Sequence, residues 1–183
     1  MNKNQGGRRT KQLISLALYQ LMINREYDDI SVKDICDKAR ISRMSFYRYF
    51  TCKDDIFINY ADERFEEFYN QEFKYKEFST ESFTVAIFSF IKKYIRQINI
   101  LIKAHKEQLL SAQFNNYTTY ILTYVAKNRK VINEKFKMNY VASAFISGGL
   151  FNCVLAWIQN GTKETPEEMA NNILSFLRET NAA

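Results

Sequence analysis

The sequence is poor in the residues that break regular structure and in those that cross-link a chain. Among 183 residues there are one proline and five glycines, too few for a collagen-like or low-complexity chain and for the many tight turns of an all-β fold. The three cysteines, at positions 36, 52 and 153, are odd in number and lack metal-ligand spacing. These counts exclude a disulfide scaffold and favour a reducing compartment.

Residue patterns that carry chemistry are also missing from the sequence. We find no glycine-rich phosphate loop, no acidic pair in an apolar setting and no paired metal ligands. The single histidine, His105, lies in the segment KAHKEQ, where a surface or packing role is expected. We therefore expect no catalytic residues, no metal and no cofactor. No apolar core and cleavage site follow the basic start, so no signal peptide is expected.

Positive charge is concentrated at the start of the chain. The formal net charge is +6, and residues 1–53 hold 11 Lys and Arg against 5 Asp and Glu, whereas residues 54–183 hold 15 of each. The whole excess therefore lies in the first part. Such a segment indicates a polyanionic partner, either a nucleic acid or a membrane surface, or else a solvated basic face.

Helical periodicity runs through nearly the whole chain, and no alternating run predicts a strand, so we predict an all-α fold. Residues 1–7 are expected to form a loose basic arm before a helix from Arg8 to about Asn24. Ser31 and Ser42 are suitable N-caps for two short helices, 32–39 and 43–50. Further helices are predicted from residue 54 past 68 and near 79–96, 97–112, 114–129, 134–160 and 166–180, the last with Thr165 as cap and Pro166 as first residue.

One long segment without charge has two interpretations. Residues 140–158, YVASAFISGGLFNCVLAWI, are long enough to span a bilayer. The segment also contains polar residues and two glycines, and no polybasic flank fixes an orientation. A buried helix or a helix at a subunit interface is favoured over a membrane span.

Two short helices joined by a tight corner, after a longer helix, form the arrangement of a helix-turn-helix, whose second helix enters the DNA major groove. Ile41, Phe46 and Phe50 are placed to face inward. The other face of the second helix carries Arg43, Ser45, Tyr47, Arg48 and Tyr49. Arginine can bind guanine edges with two hydrogen bonds, and tyrosine hydroxyls suit phosphate oxygens.

Residues 31–53, SVKDICDKARISRMSFYRYFTCK, resemble the DNA-binding domain of the tetracycline-repressor (TetR) family of regulators, and the resemblance covers about residues 8–68. Four segments of the family pattern appear in this sequence. The apolar-Ala pair is Ile35-Cys36, and the Ala-Gly-Val-Ser corner is Ala39-Arg40-Ile41-Ser42. The apolar-Tyr-x-His/Tyr-Phe run is Phe46-Tyr47-Arg48-Tyr49-Phe50, and the Lys-acid pair is Lys53-Asp54. Two residues depart from the pattern. Arg40 replaces the turn glycine, so the corner must accept a left-handed residue or another turn type, and Cys36 replaces an alanine of the core.

The resemblance implies a DNA-binding domain over residues 8–66, with its motif at about 31–50, and a helical dimerisation and effector-binding domain over 67–183. Residues nearest the base edges would be Ser42, Arg43, Met44 and Ser45. Phosphates would be bound by Tyr47, Tyr49 and Lys53, and Lys33 would bind either. The residue types alone also fit packed tyrosines, solvated arginines and a Lys53 that neutralises Asp54 and Asp55.

The resemblance further implies a homodimer through about 134–160 and 166–180, and the uncharged segment supports this because a monomer would expose it. Aromatic residues of the second domain could line a pocket for a small apolar or aromatic effector, or simply form core: Tyr94, Phe114, Tyr117, Tyr120, Tyr124, Phe151 and Trp157.

The function implied is that of a cytoplasmic, nucleoid-associated bacterial transcription regulator that binds double-stranded DNA, with no membrane partner. Specifically, a homodimeric repressor would bind a near-palindromic operator and be released by a small-molecule effector. The alternative is a protein of the same fold that works mainly through a protein partner, as a coactivator or a division or replication factor.

Overall fold

The computed structural model describes residues 3–73, 79–128 and 139–180, and all regular structure in these ranges is helical. The all-α prediction is therefore confirmed for the described residues. In chain order the helices are α1 (Lys3–Met22), α2 (Val32–Ala39), α3 (Arg43–Tyr47), α4 (Asp54–Glu72), α5 (Thr80–Lys93), α6 (Ile95–Lys103), α7 (Glu107–Asn128), α8 (Tyr140–Gln159) and α9 (Pro166–Thr180).

The chain divides into two compact units. The first unit comprises Met1–Glu66 with Arg96–Leu109, and the second comprises Glu67–Ile95 with Leu110–Ala183. The domain boundary predicted after residue 66 coincides with one point of this division. Residues 96–109, which the predicted second domain of 67–183 includes, belong to the first unit, and Leu101 is buried there.

Helix α1 begins earlier than the sequence indicated. Residues 3–7, expected in a loose arm, are helical, and residues 1 and 2 lie outside the described ranges. The Thr10 hydroxyl donates to the carbonyl of Gly6 over 2.9 Å. A Cβ built on Gly7 would lie 3.5 Å from the ring of Tyr49. The Tyr49 ring thus packs beside the first turns of α1, which provides contacts that a free arm would lack.

The core of the first unit is formed where α1 packs on α2 and α2 packs on α3. Apolar side chains at helical spacing supply it, as the sequence pattern predicted. Cys36 is buried there, as expected, and burial raises the pKa of its thiol. The fully buried residues of this core are Ile14, Leu18, Ile30, Ile35, Phe46 and Ile56.

Both predicted N-caps are present. The Ser31 hydroxyl accepts from the Asp34 N–H over 3.1 Å, and the Asp34 carboxylate accepts from the Ser31 N–H over 2.8 Å, which completes a capping box. Hydrogen bonds from the side chain and the backbone of Ser31 hold the pKa of the Asp34 carboxyl well below its usual range. The Ser42 hydroxyl caps α3 by accepting from the Ser45 N–H over 3.1 Å.

The corner between α2 and α3 adopts the left-handed option that the sequence left open. Arg40 has φ 55° and ψ 48°, in the region that glycine occupies without cost. The Ile41 N–H donates to the Cys36 carbonyl over 3.0 Å, and the Arg40 N–H donates to the Asp37 carbonyl over 3.2 Å. These two bonds close the end of α2 in the way that a C-terminal glycine normally does.

Replacing Arg40 with glycine should stabilise the protein. Relief of the left-handed strain, about 1–2 kcal/mol, exceeds the entropy that glycine adds to the unfolded chain, about 0.4–1 kcal/mol. We expect a net gain of about 0.5–1 kcal/mol in urea unfolding. Arg40→Ala removes the same charge but keeps the Cβ, so it is the matched control and should not stabilise. Equal gains in both variants would assign the effect to charge rather than to backbone strain.

Several helix boundaries differ from those predicted. Helix α3 ends at Tyr47 instead of about residue 50, because the Tyr49 N–H turns back to the Phe46 carbonyl over 2.9 Å. The break expected near residue 113 lies instead at His105, which has φ 54° and separates α6 from α7. The Lys106 N–H closes the end of α6 on the Leu101 carbonyl over 2.9 Å. Glycine is the usual signal for such a break and none is present here, so the sequence did not mark it.

In the second unit, α5 packs against α9. The rings of Phe88 and Trp157 meet edge to face at 5.2 Å, and the indole N–H donates to the Glu164 carbonyl over 3.1 Å. Helix α9 begins at Pro166, as predicted. Its cap is Thr165, whose hydroxyl accepts from the Glu168 N–H over 3.1 Å.

Helix α8 has a buried face and an exposed face. It is long and apolar enough to cross a membrane, with a mean hydropathy of 1.8, and one third of it is buried. Its buried face consists of Ser143, Ser147, Leu150, Phe151, Val154 and Trp157. One such helix is weak evidence for a membrane span, and its buried face packs within the protein. The predicted helix began at residue 134, and residues 134–138 lie outside the described ranges.

Candidate nucleic-acid interface

Helix α3 presents one face to the core of the first unit and the other to solvent. Phe46 and Phe50 are buried, with ring centroids 5.7 Å apart, and the Phe46 ring also meets the Tyr47 ring edge to face at 5.3 Å. These contacts fix the rotation of the short helix about its own axis. The exposed side chains at α3 and its ends are Ser42, Arg43, Met44, Tyr47 and Arg48.

The two serines at the start of α3 are used in capping. The Ser42 and Ser45 hydroxyl oxygens lie 3.1 Å apart, in addition to the bond from the Ser45 N–H to Ser42. These bonds commit part of the hydrogen-bonding capacity of both hydroxyls to the helix itself. Arg43 and Met44, which follow the cap, are exposed.

The two tyrosines predicted to bind phosphate have different surroundings. Tyr47 is 58% exposed, and its hydroxyl can reach a ligand in solution. Tyr49 is half-buried beside Gly7 of α1. Tyr49 therefore combines a packing role with a partly accessible ring, which fits the half-buried alternative of the sequence analysis.

Lys33 and Arg48 add exposed positive charge to the first unit. Lys33 Nζ lies 3.9 Å from the Asp37 carboxylate, and both side chains are about two-thirds exposed. An exposed pair at this distance holds its partners weakly, so the ammonium can exchange Asp37 for another anion. Arg48 follows α3 directly and is exposed, although it was not among the predicted site residues.

Lys53 is placed differently from the other predicted site residues. Its ammonium donates to the carbonyls of Tyr27 (2.8 Å) and Ile30 (2.6 Å) and lies 4.2 Å from the centre of the Tyr27 ring. Two of its three donor hydrogens therefore hold the loop before α2. The residue types also allowed Lys53 to neutralise Asp54 or Asp55. Among the described residues, the structure shows no ion pair between Lys53 and either carboxylate.

Lys53 belongs to a group that we call the Tyr27 cluster: Tyr27, Lys53, Asp54 and Lys106. The Tyr27 hydroxyl donates to the Asp54 carboxylate. Lys106 Nζ lies 3.1 Å from the same carboxylate and 4.6 Å from the Tyr27 ring centre. Burial and the bond to Asp54 raise the pKa of Tyr27. No sequence signal linked Lys106 to residues 52 positions earlier, so the cluster was missed.

Lys53→Met should destabilise the first unit by about 1–2 kcal/mol, because two partly buried carbonyls lose a charged donor. Thermal and urea unfolding of the full chain would measure the loss. Lys33→Met is the matched control, since it removes an exposed ammonium with one weak ion pair and should cost less than about 0.5 kcal/mol. An equal, small effect of both substitutions would show that the Lys53 contacts do not support the loop.

The aromatic residues predicted to line a pocket make ring contacts of the kind found in a core. The Phe114 and Phe151 ring centroids lie 5.5 Å apart, and Tyr120 and Tyr124 both meet Tyr69, at 5.3 and 5.6 Å. The Tyr94 ring meets the Phe90 ring edge to face at 4.9 Å, and Trp157 is buried against Phe88. Tyr117 is half-buried. Tyr120 is 52% exposed, so the contacts fit the core alternative for the other residues, and the pocket stays a prediction.

Helix α8 carries an uncharged exposed face, which we call the outer stripe: Tyr140, Val141, Ala144, Phe145, Gly149, Asn152 and Ala156. Tyr140 is 86% exposed and Phe145 is 80% exposed. A Cβ built on Gly148 or Gly149 would meet nothing within 4 Å, so packing within this chain does not require glycine at either position. On α9, Phe176 is also largely exposed.

Within the described ranges, no group of three or more His, Cys, Asp or Glu side chains is placed to hold a metal ion. The three cysteines are free thiols: Cys36 is buried, Cys153 is half-buried and Cys52 is exposed.

Two family models match the chain. One is described as bacterial regulatory proteins, tetR family, and matches residues 14–60. The other is described as a transcriptional regulator C-terminal region and matches residues 78–179, more than half of the chain. The first contains α2, α3 and the start of α4, and the second contains α5 to α8 and nearly all of α9. No curated protein matches the sequence.

Solved structures share the whole fold at low identity. Lin0861 from Listeria innocua is 18% identical, with a TM-score of 0.76, over 98% of this chain and 95% of that one. A TetR transcriptional regulator from Streptococcus agalactiae is 18% identical (TM-score 0.66, 95% and 96% covered). The fatty acid degradation regulator FadR from Bacillus halodurans is 17% identical (TM-score 0.62, 91% and 96% covered). At these identities the likeness shows the fold.

Proposed function

The chain belongs to the tetR family of bacterial regulatory proteins, and from that premise we propose that it is a homodimeric repressor that binds a near-palindromic operator. As a member of this family it is a transcriptional regulator with a helix-turn-helix DNA-binding domain, and it is not an enzyme. The proposal concerns three properties beyond family membership: the operator, the direction of regulation and the release by a ligand.

The observation that carries the proposal is the exposed face of α3. Buried Phe46 and Phe50 hold this helix, and Arg43, Tyr47 and Arg48 are exposed. Arg43 can donate to the O6 and N7 atoms of a guanine, and the Tyr47 hydroxyl can donate to a phosphate oxygen. The excess of positive charge in residues 1–53 supplies an attraction that does not depend on sequence.

The remaining predicted residues take supporting roles in the proposal. Ser42 and Ser45 hold the start of α3 and present what remains of their hydroxyl groups to the groove. The Lys33 ammonium would bind a base or a phosphate. Tyr49 packs against α1 and would lie next to a phosphate of the DNA. Lys53 has one donor hydrogen beyond the two bound to carbonyls, and this hydrogen could bind a phosphate.

Dimerisation through α8 and α9 is supported by the outer stripe. An exposed apolar face without charge is unusual on a soluble monomer. The small residues and the two glycines allow a second helix to approach closely. Members of this family bind DNA and usually dimerise. A two-fold dimer would present two α3 helices to half-sites one DNA turn apart.

For the effector we propose a small apolar or aromatic molecule bound in the second unit, because tyrosine, phenylalanine and tryptophan side chains are abundant there. Its binding would lower the affinity of the dimer for the operator. Action in the cytoplasm, on the nucleoid, follows from the same proposal.

Selection of bound sequences from a random duplex pool tests the proposal. We expect enrichment of a near-palindromic site whose half-sites are centred about one DNA turn apart. Arg43→Ala is the control, and it should weaken binding by roughly 5- to 150-fold and relax the preference at one position per half-site. Absence of enrichment, or a single asymmetric motif bound by a monomer, would overturn the proposal. A reporter behind the selected site then separates a repressor from an activator.

A further inference from the structure

Met44 is the most exposed large apolar side chain described in the first unit. It is 79% exposed, against 69% for Ile23 and 54% for Leu16 on α1. It is the second residue of α3, directly after Arg43. An apolar group in this position increases the cost of hydration and contributes nothing to the core of its own chain. Burial of this side chain against a ligand of α3 would release that cost.

The chemistry of methionine limits the chemical groups that Met44 can recognise on such a ligand. The thioether has no donor and only a weak acceptor, so it cannot read the hydrogen-bonding groups of a base edge. The apolar group that base pairs display in the major groove is the C5-methyl of thymine. The flexible, polarisable side chain adapts to such a methyl group more readily than a branched one does.

The side chains next to Met44 in the sequence are polar or charged, so Met44 is better suited than they are to an apolar contact with a base. The hydroxyls of Ser42 and Ser45 are bonded to each other, and the Ser42 hydroxyl also accepts from the Ser45 N–H. Tyr47, one turn further along, is 58% exposed and adds an apolar ring on the same side of the helix. Arg43 before it and Arg48 after it place positive charge on both sides. The result is an apolar patch between two cations, which suits a methyl group flanked by hydrogen-bond acceptors and phosphates.

We propose that Met44 contacts the 5-methyl group of a thymine in each half-site, and so makes thymine at that position a specificity determinant. This inference rests on the proposed function, since it requires that α3 enters the major groove of an operator. It adds the chemical group that is read and the side chain that reads it.

Uracil substitution isolates this contact, because uracil differs from thymine by the methyl group alone and pairs in the same way. Each thymine of the selected operator would be replaced by uracil in both half-sites, and the affinity of the wild-type protein measured at fixed salt. We expect one symmetry-related position at which the loss is about three- to fivefold per methyl. All other positions should change affinity less than about twofold.

The protein variants decide whether Met44 is the reader. Met44→Ala should bind the thymine and uracil duplexes equally at that position, whereas Met44→Leu, which keeps an apolar side chain, should retain the preference. Met44→Gln, similar in length but polar, should lose it. Ile23→Ala, at an exposed apolar residue directly after α1, is the matched control and should retain the full preference. Because Met44 is exposed, melting temperatures should be unchanged.

The outcomes separate the two proposals. If the wild-type protein selects no duplex, the proposed function fails. If it binds its operator but no thymine is sensitive to uracil, or if Met44→Ala and Met44→Gln keep the sensitivity, the inference about Met44 fails while the operator function stands.

Discussion

Phe46→Ala should strongly destabilise the first unit and weaken DNA binding. The Phe46 side chain is fully buried and contacts the rings of Tyr47 and Phe50. Truncation to alanine removes the aromatic surface from the core and leaves a cavity, at a cost of about 3–5 kcal/mol. Natural proteins have only about 5–15 kcal/mol of total stability, so this one change removes a large share of it.

The measurement is thermal and urea unfolding of the full chain followed by circular dichroism, together with binding to the selected operator. Tyr47→Ala is a closely matched control, because it removes an aromatic ring from the adjacent residue of the same helix. Since Tyr47 is 58% exposed, its loss should cost less than about 1 kcal/mol of stability while still weakening DNA binding. If the two variants lost equal stability, α3 would not be held by the core as described.

Phe145→Glu should separate the dimer and thereby lower the affinity for the operator. Phe145 is 80% exposed in the outer stripe of α8, where each neighbouring exposed residue is uncharged. In the proposed two-fold interface the substitution buries a carboxylate of each subunit without a cation to pair with it. Burial of unpaired charge costs several kcal/mol, which corresponds to a rise of more than about 100-fold in the dimer dissociation constant.

Sedimentation equilibrium at several concentrations would measure that constant, and operator binding would be measured on the same samples. Ile23→Glu is the matched control, because Ile23 is also an exposed apolar residue but lies directly after α1 in the first unit. It should leave the dimer intact. A wild-type protein that is monomeric at micromolar concentration would contradict the proposed interface, as would an equal effect of the control.

The local rules of helix formation explain why so much of the first unit could be predicted. Ser31, Ser42 and Thr165 are caps whose hydrogen bonds span only three residues, so the signal lies within a short stretch of sequence. The burial of Phe46 and Phe50 follows from helical spacing in the same way. The left-handed Arg40 was one of the conformations left open, because the corner allows few backbone geometries.

Contacts between distant parts of the chain explain what could not be predicted. The resemblance assigned Lys53 to phosphate, which stays a prediction, and nothing in the sequence indicated that its ammonium also binds the carbonyls of residues 27 and 30. Lys106 reaches Asp54 across 52 positions of sequence. His105 ends α6 in a left-handed conformation at a position where the sequence has no glycine. Neither the hydrophobic periodicity nor the local composition of the sequence indicates any of these three features.

By itself, the sequence determined that the chain is helical, that its positive charge is at the start, and that a capped pair of short helices carries an arginine and a tyrosine on one face. Periodicity, capping and charge are properties of neighbouring residues, and they persist whatever the rest of the chain does. Tertiary structure alone decided which of these side chains remain accessible: Met44 and Tyr47 exposed, Tyr49 packed beside Gly7, and Lys53 engaged with the loop before α2. Accessibility depends on which distant backbone and ring atoms occupy the surrounding space, and only the folded chain specifies that.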